Sequence, residues 1–368
     1  MPLLSIRLSA WRNLADGLVD LASPRVFLIG ENGEGKSNLL EAIYYLSYGS
    51  SFRGQVDTAI PRRGEDYFSA EGSIVRDLGA NELAQKIAVS WKSRAKEIRR
   101  EGKILRDRKE LVDLNPAIVY CHDDFSFAAG EPERRRFFFD QTAGLVSLGY
   151  IDLLRDYRKI LLQRNTALKE SAERLLDILD LQLATCGLDL MRERSRLAQD
   201  FAPDFSMLFE EVSRLGIQVS LRYQPSWKEG KDCTIDAIAE RLGTRRREEL
   251  TMKTSLSGPH RDRWSFMAEG RDFSASASTG QLRLLSLVLR SSQARHFFAK
   301  TEREPLLLLD DVLLELDPER RKRFFATLPP SSQAIFTFLP GEKWEDYRQE
   351  GTLVYRVADG RFTHQIGP

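Results

Sequence analysis

A phosphate-binding loop is indicated by eight consecutive residues near the N-terminus, which fit the pattern GxxxxGK[ST]. They are Gly30, Glu31, Asn32, Gly33, Glu34, Gly35, Lys36 and Ser37. In this pattern backbone N–H groups surround phosphates, the lysine reaches the outer phosphates, and the hydroxyl binds Mg²⁺. A glycine-rich turn that binds nothing is the alternative, and the coincidence of lysine, hydroxyl and a following helix argues against it. We therefore expect these eight residues to bind nucleotide, with Lys36 also catalytic.

A pair of acidic residues follows an apolar segment near the C-terminus. Residues 306–309 are four leucines, typical of a buried strand, and Asp310 and Asp311 come directly after them. Because a buried sheet presents side chains at the carboxyl ends of its strands, we expect Asp310 and Ser37 to hold Mg²⁺. Asp311 is the candidate catalytic residue that would polarise the attacking water, and its short side chain predicts a slow reaction. A purely structural Asp is the alternative, which the phosphate-binding loop disfavours.

A third group of candidates precedes a predicted helix. Ser278-Thr279-Gly280-Gln281 stands before an amphipathic run from Leu282 to Leu289. Ser278 and Gly280 would offer a hydroxyl and free amides to an anion. An ordinary helix N-cap is the alternative, and the position of the segment between the loop and the acidic strand favours a role in binding.

The elements that position these candidates follow from hydrophobic periodicity. Residues 25–29 form a continuous apolar run typical of a buried strand, and helical spacing begins at Ser37. Alternation over 66–121 predicts a small antiparallel lobe that includes residues 117–120. Helical spacing over 134–215 predicts a helical insertion. Renewed alternation at 217–223 and 264–268 predicts that the core sheet resumes there, before a last α/β stretch.

Composition excludes several classes of protein. The 368 residues include 55 Lys+Arg and 54 Asp+Glu, a formal net charge of +1, with 42% hydrophobic residues, so we expect a folded globular chain. The three cysteines are widely spaced and form no CxxC pair, which fits a reducing compartment; they are Cys121, Cys186 and Cys233. His122 and His260 lack metal-ligand spacing and are expected to be structural. Without an export signal or a membrane-spanning run, we expect a cytoplasmic protein with no membrane partner.

A basic window provides a local argument for nucleic acid that the net charge does not. Residues 92–109 hold nine basic and three acidic residues, a local net charge of +6. The DNA-binding candidates are Lys92, Arg94, Lys96, Arg99, Arg100 and Lys103. Clusters at 134–136, 245–247 and 320–323 add to this charge, and such patches neutralise phosphates with little sequence readout. An ordinary solvated surface is the alternative, which the window alone leaves open.

The motifs together resemble those of the ABC-type ATPase heads of the SMC class, and more closely those of the RecF family of recombination mediators. The first resemblance rests on the order of the motifs along the chain. This order is phosphate-binding loop, helical insertion, Ser278 segment, acidic strand and residues 314–317. The narrower resemblance rests on the segments 38–46, 51–53, 130–136, 163–165 and 258–262. The matching positions run from residue 11 to residue 323, nearly the whole chain.

The resemblance implies the fold class and, with the periodicity, the domain boundaries. We expect an α/β P-loop ABC-type ATPase head, with a mixed sheet core and an antiparallel β lobe, plus an inserted mainly helical lobe. The head would comprise residues 1–130 and 250–368, with the β lobe at about 66–121, and the helical lobe residues 131–249.

The resemblance also implies ATP and Mg²⁺ as cofactors and an ATP-dependent homodimer. In a head-to-tail dimer, Ser278, Gly280 and Gln281 would face the phosphate-binding loop of the second subunit. Asp317 would lie in the loop that links the two sites.

Further properties of the family concern the nucleotide and the partners. Arg12 and Asn13 match the family's N-terminal motif near the nucleotide. The family binds DNA, preferring single-stranded, gapped or junction-containing forms. It hydrolyses ATP weakly, as a switch stimulated by DNA, and acts with RecO-type and RecR-type mediator proteins to load recombinase.

Three departures from the family's pattern affect these expectations. Thr279 and Leu282 stand where the family usually or often has Gln, which thins the polar contacts of the Ser278 segment. In residues 333–339 only Thr337 remains of the usual threonine run, which weakens the expected γ-phosphate sensor. None of them involves Lys36 or Asp310, so ATP binding is better supported than hydrolysis.

Other functions remain open at this stage. A P-loop enzyme of another class, such as a small-molecule kinase or GTPase, would share the loop, although no Asn precedes a Lys and the guanine-reading NKxD motif is absent. A transporter ATPase subunit would carry a switch histidine after the last core strand. A nonhydrolysing scaffold would bind ATP only for assembly.

Overall fold

The computed structural model describes residues 2–77, 82–227, 233–312 and 316–365. The chain forms two compact units. The first unit combines Met1–Asp124 with Phe297–Pro368, and the second unit is the continuous segment Phe125–His296. The predicted boundaries of head and helical lobe remain a prediction, since compactness alone does not define where a domain begins.

The elements are numbered in chain order. The strands are β1 (Leu3–Ser9), β2 (Gly17–Asp20), β3 (Arg25–Ile29), β4 (Tyr67–Asp77), β5 (Glu82–Lys92), β6 (Ala95–Arg100), β7 (Lys103–Ile104), β8 (Ala117–Tyr120), β9 (Ser220–Gln224), β10 (Arg263–Ala268), β11 (Arg271–Asp272), β12 (Leu306–Leu309), β13 (Gln333–Phe338), β14 (Leu353–Ala358) and β15 (Arg361–His364). The helices are α1 (Lys36–Tyr48), α2 (Lys109–Leu114), α3 (Phe125–Ala129), α4 (Pro132–Val146), α5 (Leu148–Lys169), α6 (Glu173–Ser213), α7 (Ile235–Met252), α8 (Phe273–Ser276), α9 (Thr279–Thr301) and α10 (Pro318–Thr327).

The first unit contains a six-stranded sheet with the order β15-β14-β3-β13-β12-β8. The strands from β14 to β8 are parallel, and β15 pairs antiparallel with β14. β8, β12 and β13 are buried at every residue, as expected for continuous apolar runs in a parallel sheet covered on both faces. β3 lies between β13 and β14, so the loop after it leaves from the middle of the sheet.

A second sheet of the first unit is antiparallel throughout, with the order β2-β1-β4-β5-β6-β7. It confirms the predicted antiparallel lobe for β4 to β7. The inclusion of residues 117–120 in that lobe is wrong, because β8 pairs in parallel with β12. Its four consecutive apolar residues suit a strand buried on both faces, whereas the lobe strands alternate. Leu39 and Ile43 of α1 pack in one core with residues of both sheets.

The second unit is mainly helical and has a small sheet of its own. α4, α5 and α6 confirm the helical pattern predicted over 134–215. β9 and β10 pair antiparallel with each other, with β11 at the edge, in a three-stranded sheet. The prediction that the core sheet resumes at these strands is therefore wrong. Their alternating patterns belong to an antiparallel sheet with one packed face rather than to the parallel core.

Buried ion pairs join the helices of the second unit. Arg164 of α5 lies 2.6 Å from Asp180 of α6 and 2.7 Å from Glu249 of α7. Arg194 of α6 pairs with Asp140 and Asp262 at 2.8 Å each.

Over the part of the chain that the structure describes, no helix combines the length and the apolar character needed to cross a bilayer.

Candidate nucleotide-binding site

The loop between β3 and α1 has the conformation that its glycines require. Gly33 and Gly35 have φ of +87° and +113°, in the left-handed region that favours glycine. A Cβ atom at Gly30 would lie 2.4 Å from the carbonyl oxygen of Val357 in β14, so this position excludes a side chain as well. The predicted strand, loop and helix are confirmed, and α1 begins at Lys36 with its free N–H groups at the end of the loop.

The Lys36 side chain folds back over the loop. Its Nζ donates hydrogen bonds to the carbonyl oxygens of Gly30 at 2.6 Å and Glu31 at 3.1 Å. The residue is buried, and backbone carbonyls rather than a carboxylate surround the ammonium group. Among the described residues no acid forms an ion pair with it, so its charge can pair with an anion in the loop.

Ser37 and Asp310 meet across the sheet edge. Ser37 Oγ at the start of α1 donates to Asp310 Oδ1 at the end of β12, at 2.5 Å. Burial raises the pKa of Asp310 to about 6, and the Ser37 hydrogen bond opposes that rise. A bound cation would offset the cost of burying this charge. Hydroxyl and carboxylate oxygens are ligands that suit Mg²⁺, which also binds water and substrate phosphates, so the pair fits this ion.

Asp311 is held by Thr337 of β13. Its Oδ1 accepts a hydrogen bond from Thr337 Oγ1 at 2.7 Å, and its backbone N–H donates to the same oxygen at 2.7 Å. Asp311 has a φ of +53°, an uncommon conformation for a residue with a side chain. The buried Thr337 hydroxyl thus fixes both the backbone and the carboxylate of Asp311.

A cavity of about 240 Å³ in the first unit is lined by Lys36, Ser37 and Asp311 among others. The residues that line it are Glu31, Asn32, Gly33, Gly35, Lys36, Ser37, Asn38, Arg53 and Asp311. A larger cavity of about 500 Å³ lies between α5 and α6, but Lys159 is the one basic residue of its lining and no glycine-rich loop borders it. We therefore place the candidate site at the smaller cavity.

Two residues at the site were missed as site residues by the sequence reasoning. Arg53 lines the cavity, and its Nη1 donates to Asn38 Oδ1 at 2.9 Å. Glu342 is the second, since burial raises the pKa of its carboxyl and repulsion from Asp311 adds to the rise. Arg53 appeared only within a family segment, and Glu342 follows β13 in a turn. Neither carries a single-sequence signal, since each reaches the site through the fold.

The remaining loop and N-terminal candidates have other partners. Arg12 binds Glu41 through two hydrogen bonds of 2.8 and 2.9 Å, and it does not line the cavity. Asn13 Nδ2 donates to Gly33 O at 2.8 Å, so Asn13 supports the loop. The Glu34 carboxylate accepts from the backbone N–H of Asp359. Their predicted role in nucleotide binding stays a prediction.

The Ser278 segment begins α9 in the second unit. Ser278 Oγ accepts from Gln281 N at 3.3 Å, and Gln281 Oε1 accepts from Ser278 N at 2.8 Å. The two side chains therefore form a capping box. Space is open around the Cα of Gly280. Asp317 is a simple N-cap of α10, since its Oδ1 accepts from Arg320 N at 2.9 Å. A single chain leaves their expected role across a dimer untested.

The basic window covers β6, β7 and the adjoining turns. Lys92, Arg94 and Lys103 are exposed. Lys96 is half-buried and lies 2.8 Å from Asp57, whereas Arg99 pairs with Glu97 at 2.6 Å. Arg100 donates to Gln85 Oε1 at 2.8 Å. The charge of Lys96 and Arg99 is thus partly neutralised within the first unit.

Members of the other basic clusters bind within their own unit. Arg135 donates to the carbonyl oxygens of Ala128 at 2.9 Å and Trp264 at 3.2 Å. Arg246 pairs with Asp177 and Asp180 at 2.7 Å each.

The expectation that His260 is structural agrees with its hydrogen bonds. Its imidazole contacts the Tyr157 hydroxyl and the Ser255 carbonyl oxygen.

Three features together define an ABC-type P-loop head. The phosphate-binding loop lies at the centre of a parallel sheet, an acidic strand end lies beside it, and an antiparallel sheet packs on the helix that follows the loop. The family model described as RecF/RecN/SMC N terminal domain matches residues 2–349. The chain belongs to this family and, by the relatives that follow, to its RecF members.

The curated relatives are similar over almost their whole length. The DNA replication and repair protein RecF of Treponema pallidum (strain Nichols) is 41% identical over 353 residues, which cover 95% of this chain and 97% of the relative. The protein of the same name from Bacillus subtilis (strain 168) is 30% identical over 376 residues, covering 98% and 99%.

Solved structures agree with the fold. The structure described as the recombination mediator protein RecF-ATP in the RecFOR pathway superimposes with a TM-score of 0.88 at 27% identity, covering 99% of this chain and 97% of that one. The Smc head domain of Pyrococcus furiosus gives a TM-score of 0.58 at 15% identity, covering 99% and 95%, and supports the fold alone.

Proposed function

We propose that this chain is an ATP-dependent DNA-binding protein of DNA replication and repair, in which bound ATP controls dimerisation. The observation that carries the proposal is the cavity after β3 that Lys36, Ser37 and Asp311 line, with Asp310 hydrogen-bonded to Ser37. The repair role is supported by relatives named DNA replication and repair protein RecF. The choice of nucleotide is supported by the similar protein whose structure is described as RecF-ATP.

The phosphates of ATP would occupy the loop. Backbone N–H groups of residues 30–37 and the N-terminus of α1 would surround them. Lys36 would exchange its contacts with the Gly30 and Glu31 carbonyls for phosphate oxygens. Ser37 and Asp310 would hold Mg²⁺, which supplies charge neutralisation when it is bound.

Asp311 would act on the water that attacks the outer phosphate. Its carboxylate lines the cavity, and Thr337 fixes its direction. A carboxylate in this position can orient the water and accept its proton. The short Asp side chain favours slow hydrolysis, suited to a switch.

The dimer would be a head-to-tail pair of this chain. Ser278, Gly280 and Gln281 of one subunit would contact the nucleotide of the other, and Asp317 would lie between the two sites. Single-stranded, gapped or junction-containing DNA would bind to the basic surfaces, with RecO-type and RecR-type mediator proteins as further partners. The exposed Lys92, Arg94 and Lys103 support a contact that is mainly to phosphates.

Sedimentation tests the nucleotide-controlled dimer. We expect ATP with Mg²⁺ to convert the wild type to a dimer and to strengthen its binding to gapped DNA. Lys36→Ala should stay monomeric and lose both responses, because it lacks the charge that the phosphates need. Lys86→Ala, which removes a lysine that is 69% exposed on β5, should behave as the wild type. A wild type that stays monomeric at saturating ATP and Mg²⁺ rules out the nucleotide-controlled dimer.

A further inference from the structure

A separate cavity of about 230 Å³ lies within the second unit. Side chains from α4, α5 and α6 and from the turn before β10 line it. Those that matter for its chemistry are Arg136, Phe137, Tyr157, Arg158, Arg194 and His260. It contains no glycine-rich loop, so its chemistry differs from that of the nucleotide site.

The arginines that line this cavity differ in how closely carboxylates pair with them. Arg194 is buried and paired with both oxygens of Asp140, at 2.8 and 3.1 Å, and with Asp262. Arg158 lies 3.8 Å from the same Asp140, and its side chain is 62% exposed at the rim. Glu133 is the other acid in the lining. Arg194 is thus held by two carboxylates, Asp140 and Asp262, whereas Arg158 approaches Asp140 only to 3.8 Å.

Arg136 is the cation with the weakest compensation. Its Nη1 donates to the backbone carbonyl of Asp262 at 3.0 Å, and among the described residues it forms no ion pair. Burial lowers the pKa of Arg136 and the Arg194 guanidinium lowers it further, whereas Glu133, Asp262 and Asp140 act in the opposite direction. A half-buried guanidinium whose hydrogen bond goes to a carbonyl rather than to a carboxylate can still pair with an anion.

Phe137 puts an aromatic face beside these cations. It is 49% exposed, the one aromatic ring among the large exposed apolar side chains of the described residues. Its ring stacks on Phe127, with centroids 6.5 Å apart and an interplanar angle of 27°. A ring supported from behind and next to arginines has the composition of a nucleobase-stacking platform.

We infer that this cavity binds one nucleotide of a single DNA strand, with the base against Phe137 and a phosphate between Arg136 and Arg158. The inference rests on the proposed DNA-binding function and assigns it a contact. At about 230 Å³ the cavity is small for a drug-sized ligand, and it has no glycine-rich loop to surround a triphosphate. Arg158 at the rim leaves the phosphate where the strand continues into solvent. A base paired in a duplex is not free to enter.

Binding of an oligo(dT) strand, measured by fluorescence anisotropy without ATP, tests the inference. Phe137→Leu should weaken binding about 5- to 150-fold, the effect of losing one stacked base. Arg158→Gln should reduce the slope of log affinity against log salt by about 0.7, the contribution of one single-strand phosphate. Phe137→Trp and Arg158→Lys should retain the wild-type values, because each conserves the contact.

Matched controls are available in the same unit. Leu162→Ala removes an apolar side chain that is 68% exposed on α5, and Arg192→Gln removes a guanidinium that is 56% exposed on α6. Both should bind as the wild type. Because all the altered side chains are substantially exposed, thermal melting should show each variant folded. A strand carrying 5-iodouracil should photocross-link to α4 at Phe137.

Three outcomes overturn the inference. The first is Phe137→Leu with the affinity of Leu162→Ala, and the second is a cross-link that maps outside α4. The third is competition by free dTMP at the same concentration as the strand, since this would reveal a pocket for free nucleotides. If the wild type binds strand and dimerises with ATP while Phe137→Leu is unaffected, the cavity assignment alone fails. If the wild type binds no DNA, the proposed function fails with it.

Discussion

Thr337 is the residue on which the direction of Asp311 depends. The Thr337 hydroxyl donates a hydrogen bond to the Asp311 carboxylate at 2.7 Å and accepts one from the Asp311 backbone N–H at 2.7 Å. The family resemblance weakened the expected γ-phosphate sensor in this segment, because only Thr337 remains of the threonine run. In the structure the Thr337 hydroxyl supports the neighbouring carboxylate, a positioning role.

Thr337→Val should lower the rate of ATP hydrolysis about tenfold, part of the about 10²- to 10⁴-fold that a positioned base supplies. ATP affinity should be unchanged, because Thr337 does not line the cavity. Single-turnover hydrolysis and equilibrium binding measure the two effects. Thr337→Ser should restore the rate, and Thr327→Val, which removes another buried hydroxyl, should leave it unaltered. An unchanged rate in Thr337→Val would show that Asp311 is positioned by other groups.

His260 makes the stability of the second unit depend on pH. Burial lowers the pKa of His260 to about 4 from 6.5. Between these values the unfolded chain binds a proton that the folded chain excludes, so stability falls as pH falls from 6.5 towards 4. At about 1.4 kcal/mol per pKa unit, the full loss is about 3 kcal/mol.

His260→Gln should therefore flatten the decline of the free energy of unfolding across this interval. Urea denaturation at a series of pH values measures it. The exposed His364→Gln serves as the matched control and should keep the wild-type slope. Equal slopes in the His260 variant and the wild type would contradict the buried, neutral imidazole.

At the scale of elements, the N-terminus of α9 explains why the Ser278 segment had two interpretations. The residues that would contact a partner's nucleotide also form the reciprocal capping box of their own helix. Both uses require a hydroxyl followed three residues later by Gln. The pattern alone therefore could not separate them.

Ser278→Ala should lower the free energy of unfolding by about 1 kcal/mol, the usual cost of an N-cap. Thr234→Ala, which removes the N-cap hydroxyl of α7, should cost about the same. Under the proposed function only Ser278→Ala should also lose the ATP-driven dimer in sedimentation. If both variants dimerise equally, the segment is a cap and nothing more.

The strands show how far periodicity could predict the fold. The continuous apolar runs of β3 and β12 were placed in the core correctly, because a strand covered on both faces has no polar side. The same rule, applied to β8, would have moved it from the antiparallel lobe to the core. β9 and β10 alternate and so form a sheet of their own. Pattern predicts the kind of sheet, whereas the neighbour of each strand depends on chain connections that periodicity does not encode.

At the scale of the whole molecule, the site was predicted best where residues are close in sequence. The spacing of residues 30–37 alone predicts a phosphate-binding loop. Asp310 was predicted from its position directly after an apolar strand. Arg53 reaches the site only through the fold. The basic clusters were less predictable still, because Arg135 and Arg246 have partners within the second unit that are distant in sequence. Surface charge therefore cannot be read from composition in this chain.

The position of β3 between β13 and β14 has a consequence for biosynthesis. The phosphate-binding loop leaves the ribosome before the two strands that flank β3, since β13 and β14 span Gln333–Phe338 and Leu353–Ala358. At about 5–20 residues per second, their synthesis follows that of the loop by roughly tens of seconds. The nascent loop has no sheet to hold it during that time, so a chain stalled before β14 lacks one of its walls. Synthesis of β14 thus controls when the nucleotide site first has all its walls.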